Sequence, residues 1–137
     1  MKIAVCGSMF FSPEILEIGE QLRARGHLVE VPAFTEHYTS LSSREKMHSE
    51  AFENKIKYNL IREYFEVIKE KDAVLAVNKT HKGIENYVGG NTFLEITFAH
   101  ILNKKLYLLH PIPQMLYTDE IRAMQPIVIN GNLDLIV

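Results

Sequence analysis

The apolar positions of this chain fall in short continuous runs separated by amphipathic stretches. "KIAVCGS" (Lys2 to Ser8) is an unbroken apolar run ending in Gly-Ser. It predicts a strand buried on both faces, as in parallel sheets. "SPEILEIGEQLRARG" (Ser12 to Gly26) predicts a helix with Ser12 as its cap, Pro13 in its first position and Gly26 at its end. Ile15, Leu16, Ile18 and Leu22 supply its apolar stripe. "HLVEVP" (His27 to Pro32) predicts a second strand, closed by proline, and the polar "AFTEHYTSLSS" (Ala33 to Ser43) predicts a surface loop. From Arg44 to Asp72, the residues Met47, Phe52, Ile56, Leu60, Tyr64 and Ile68 recur at steps of four or five. They predict one long helix with a core-facing stripe and a solvated charged face. A subunit interface along part of that helix is the second reading.

The pattern then repeats in smaller units. "AVLAVN" (Ala73 to Asn78) predicts a third strand, "KTHKGIENYVGG" a loop and "NTFLEITFAHILN" (Asn91 to Asn103) a helix. "KKLYLLH" (Lys104 to His110) predicts a fourth strand, broken by "PIP". "TDEIRAM" (Thr118 to Met124) predicts a short helix with acids in its first turn, and "PIVI" (Pro126 to Ile129) a fifth strand. The closing "LDLIV" fits either state. Alternating strands and helices predict a three-layer α/β domain spanning residues 1–137. Right-handed crossovers leave few topologies, and the expected one is a flavodoxin-like or Rossmann-like five-stranded parallel sheet of order 2-1-3-4-5.

Composition narrows the classes. The 137 residues, 47% hydrophobic and 23% charged, fit one ordinary globular domain. A net charge of −2 offers no basic footprint for a nucleic acid polymer. Cys6 is the single cysteine, which excludes an internal disulfide and reads as an inert core thiol. The six histidines at 27, 37, 48, 81, 100 and 110 form no metal-binding pattern. No apolar run approaches the ~20 residues of a membrane span, and the start at Met1 carries no leader pattern. The expectation is a cytoplasmic, soluble protein with no metal, no cofactor and no membrane partner.

With order 2-1-3-4-5, the loops after strands 1 and 3 diverge at the topological switch point, where such sheets bind ligands. Those loops are "GSMFFSPE" and "NKTHKGIENYVGGNT". Gly7 and Ser8 suit either a backbone approach to a ligand or a plain tight turn. Gly89-Gly90 permits positive φ or close ligand approach. Glu95 has two readings. Thr92 to Glu95 is T-x-x-E, a capping box in which the carboxylate would bond back to the Thr92 backbone. Alternatively, Glu95 faces the crevice from the first helical turn, kept ionised by the helix dipole. An ionised carboxylate there can attack an electrophilic sugar carbon. Tyr38 and Tyr87 either reach the crevice or cover loop surface.

These segments, in this order, resemble the nucleoside 2-deoxyribosyltransferase family and its 2-deoxynucleoside 5-monophosphate N-glycosidase relatives. "IAVCGSMF" is similar to the family's first strand and loop, and "KDAVLAVN" to its central strand. "GGNTFLEITFAHILNKKLYLL" is similar to its signature of a Gly-containing loop, a glutamate opening a helix, and a basic-capped strand. The resemblance implies Glu95 as catalytic nucleophile, attacking C1 of a 2-deoxyribose so that the base leaves to another base or to water. It implies substrate contacts from Gly7, Ser8, Met9, Asn78, Gly89, Gly90, Asn91 and Thr92. It also implies a small-molecule nucleoside or nucleotide partner and a homodimer or larger assembly. Two departures stand out: Ile96-Thr97 follows Glu95 where the family usually has Leu-Gly or Met-Gly, and the central strand ends in Asn78 rather than near an acid. A non-catalytic nucleotide-binding module of the same fold is the alternative, and a structural protein whose Glu95 is only a cap is the third.

Overall fold

The structure is a computed structural model and describes residues 1–40 and 53–137. Five strands, β1 (Lys2–Gly7), β2 (Leu28–Glu30), β3 (Ala73–Val77), β4 (Lys105–Leu108) and β5 (Ile127–Val128), form one parallel sheet of order β2-β1-β3-β4-β5. The expected flavodoxin-like architecture is therefore present. Its register sets Gly7 beside Val77, so the ends of β1 and β3 open together at the switch point.

Strand alternation divides the core in two. Ile3, Val5, Leu75, Val77 and Tyr107 face α1 (Ser12–Ala24), meeting its Ile15, Ile18 and Leu22. Ala4, Cys6, Val74, Ala76 and Leu108 face the opposite side. There they meet Tyr64 and Ile68 of α3 (Leu60–Lys69), Ile96 and Ala99 of α4 (Gly90–Ile101) and Ile121 of α5 (Thr118–Ala123). Each fully buried Ile or Leu contributes roughly 1.5–3 kcal/mol, so the central strands hold both layers. No helix among the described residues is long and apolar enough to cross a membrane.

Local chemistry departs from the sequence expectations in four places. Ser12 is not the cap of α1: Phe11 holds that position, and the Ser12 hydroxyl donates to the Met9 carbonyl. Gly26 does end the helix, at φ 91, with His27 N–H bonded back to the Leu22 carbonyl. The expected loop at Ala33 to Ser43 contains a helix, α2 (Thr35–Ser40); residues 41–43 lie outside the described part. Tyr38 anchors α2 by packing among Met9, Phe10 and Phe34. The expected long helix from Arg44 to Asp72 is interrupted. Residues 53–57 are helical, but Asn59 sits at φ 51, ψ 46 and α3 starts afresh after it. Met47 and Phe52 lie outside the described residues. Ile56, expected in the core stripe, is 69% exposed, because the break rotates its turn away from the sheet.

Candidate active site

A cleft of about 310 Å³ opens at the switch point, within the range of small-molecule sites. Its walls come from the loop after β1, α2, the helical stretch 53–57, α3, and the loop leading into α4. Gly7, Ser8, Met9, Gly89, Gly90, Asn91, Thr92 and Glu95 all line it. Asn78 does not. It is fully buried, and its side-chain amide donates to the His110 and Pro111 carbonyls while its oxygen accepts from the His110 N–H. With both ends so engaged, Asn78 ties β3 to the turn after β4 rather than facing a ligand.

Neither Gly89 nor Gly90 has positive φ; Gly89 is the extended N-cap of α4. At Gly7 a Cβ would lie 3.0 Å from the Val77 carbonyl and 3.1 Å from a methyl of Ile15, so strand and helix packing alone demand glycine there. Ser8 caps the turn Met9–Phe11, its hydroxyl accepting from the Phe10 N–H at 3.3 Å. The loop after β3 closes a two-residue hairpin between His81 and Ile84, with Lys82 and Gly83 both at positive φ. That turn carries Lys82 to the cleft wall.

Glu95 is not in a capping box. Because α4 begins at Gly90, Thr92 falls inside the first turn and Glu95 in the second. Glu95 is 4% exposed and, among the described residues, accepts one bond, from the Asn91 side chain at 3.4 Å. The Thr92 hydroxyl is buried in the same wall without a hydrogen-bond partner among the described residues. Nor does the helix dipole keep the carboxyl ionised, since its effect fades beyond the first turn. Burial pushes the Glu95 pKa up to about 8, against a smaller downward pull from the Lys55 ammonium and the Asn91 amide. Behind it, burial and then the Glu95 charge push the Cys6 thiol up, which fits the inert core thiol expected of it. Tyr64 is pushed up for the same reasons, and its hydroxyl donates to the Val5 carbonyl.

No family model and no curated protein matches the sequence. Among solved structures, the chain is similar to a Clostridium botulinum CMP N-glycosidase, BcmB, with a TM-score of 0.52 at 19% identity. The match covers 93% of this chain and 85% of that one, and it speaks for the fold.

Several lining residues had no sequence signal. Lys55 belonged to the charged face of the expected long helix, and Tyr64 to its core stripe. Both reach the cleft because the chain breaks at Asn59. Asparagine tolerates the left-handed conformation, so "YNL" was the available hint. Lys82 is placed by its hairpin, for which "KG" is a weak signature. Tyr38 and Tyr87, considered from sequence, both line the cleft. Among the described residues, no group of three or more His, Cys, Asp or Glu is placed to hold a metal ion.

Proposed function

We propose that this protein cleaves or transfers the N-glycosidic bond of a 2-deoxynucleoside or its 5-monophosphate, with Glu95 as nucleophile at the sugar C1. The observation that carries this reading is the position of Glu95: a buried carboxyl on the cleft wall at the switch point, with no capping bond to it among the described residues. Burying a carboxyl is costly, so a group kept there with one long hydrogen bond among the described residues is a candidate for chemistry. The resemblance of the first-strand, central-strand and "GGNTFLEITFAHILNKKLYLL" segments supports the same role, and the fold likeness to a CMP N-glycosidase leans the same way.

In the proposed reaction, an ionised Glu95 oxygen bonds to C1 as the C1–N bond breaks. The bonding pair leaves with the base, which takes a proton from water. Water or a second base then attacks C1 and frees the carboxylate; in either branch the proton of the attacking O–H or N–H passes to solvent. Gly7, Ser8, Met9, Gly89, Gly90, Asn91 and Thr92 would shape the sugar and phosphate end. The resemblance also leads us to propose a homodimer or larger.

The test is base release from deoxynucleosides, their monophosphates and CMP, with and without an acceptor base, beside Glu95→Gln. The expected result is retained binding with release reduced about 10³-fold or more. The nucleophile must be ionised, so kcat/KM should climb with pH toward about 8. A non-catalytic nucleotide-binding module is the second reading, favoured by a Glu95 that burial keeps protonated near neutral pH. It predicts equal ligand affinity and no turnover in both forms.

A further inference from the structure

An ionised Glu95 would be poorly accommodated by its immediate neighbours. A carboxylate offers about four acceptor sites, and among the described residues only the Asn91 amide donates to this one, at 3.4 Å. Among the described residues no second carboxylate lines the cleft; besides lysines, its other titratable side chains are Tyr38 of α2, Tyr64 of α3 and Tyr87 of the loop before α4, and Cys6 of β1 lies in the core beside α4. The Tyr64 hydroxyl donates to the Val5 carbonyl, and its oxygen lies 3.3 Å from the Glu30 carbonyl as well, so its proton is not available to the carboxylate. Among the described residues, two ammonium groups share the cleft. Lys82 sits on its hairpin turn, 6.0 Å from the Phe10 ring centre. Lys55 is half-buried on the helical stretch 53–57 in the same wall, and among the described residues it is the cation that pulls the Glu95 pKa down.

We propose that Lys55 is the counter-ion that allows Glu95 to ionise inside the cleft, a positioning residue that acts through the carboxylate and not on the reacting atoms. The backbone break explains how it gets there. Left-handed Asn59 ends the turn carrying Lys55 and starts the helix carrying Tyr64, so both line one cavity. The consequence for turnover rests on the glycosidic reading above, but the electrostatic claim does not need turnover.

The decisive measurement is the titration midpoint of the Glu95 carboxyl, followed by carbon NMR of glutamate-labelled protein and assigned by its loss in Glu95→Gln. In Lys55→Met and Lys55→Gln the midpoint should rise by about one unit, in Lys55→Arg it should stay, and in Lys82→Met it should not move. The acid limb of kcat/KM should shift with it, costing about tenfold below the midpoint. Two neutral variants guard against one failing to fold. An unmoved midpoint in the folded Lys55 variants, or an equal rise in Lys82→Met, would overturn the inference. A raised midpoint in a protein that releases no base would keep the Lys55 role and remove the glycosidic reading.

Discussion

Glu95, Asn78 and Gly7 show how differently single residues at one sheet edge are used. Asn78 commits both amide hydrogens and its amide oxygen to the backbone of the turn after β4. Glu95, among the described residues, commits little of its polar capacity to structure. Gly7 looks in sequence like a ligand-approach glycine, yet its neighbours forbid a side chain whatever binds nearby. Gly7→Ala would drive a methyl against the Val77 carbonyl, which cannot yield without distorting β3. The expected loss is about 1–3 kcal/mol in urea denaturation. Gly90→Ala is the contrast: nothing lies within 4 Å of its Cβ and its φ is ordinary, so stability should change little. Equal losses at the two positions would mean that the β1–β3 packing is looser than described. The oddity of Glu95 was visible in the sequence because a carboxylate interrupts an apolar run. Its partner Lys55 was not, because a lysine among helical charges carries no mark of the direction in which it points.

At the scale of elements, legibility tracked how much each segment buries. β3 is buried along its whole length and reads as strand by composition alone. α2 has six residues and a single apolar anchor, Tyr38, too few for any period to emerge. The long helix failed for a different reason: its four-residue step is continuous across Asn59, but the backbone is not. Asn59 provides a test in which the two descriptions give opposite rank orders. If Asn59 is left-handed, Asn59→Gly should be nearly neutral and Asn59→Val should cost about 1–2 kcal/mol. In an uninterrupted helix, glycine would be the damaging change, by about 0.5–1 kcal/mol. Denaturant melts of both variants decide it. The outcome matters for the cleft, since this break brings Lys55 and Tyr64 to one wall.

For the whole molecule, the strand order followed from alternation and crossover handedness, and it located the cleft before any side chain was considered. What the order leaves open is the cost of keeping a carboxyl in that cleft, and this is measurable as a pH dependence of global stability. Glu95 has a folded pKa near 8 against an ordinary value of 4.5. Below the ordinary value, folded and unfolded chains both hold the proton and no penalty exists. As pH rises from there, the unfolded chain releases it while the folded chain keeps it. Stability then falls by up to about 1.4 kcal/mol per pH unit from this group, until the folded carboxyl also ionises. Glu95→Gln lacks this loss, and titrations not coupled to Glu95 cancel in the difference. The variant should therefore match the wild type near pH 4.5 and exceed it by several kcal/mol at pH 8. A capping role predicts the reverse at neutral pH, a Gln variant slightly less stable by at most ~1 kcal/mol. A protein that is more stable without its own carboxylate retains it for something other than folding.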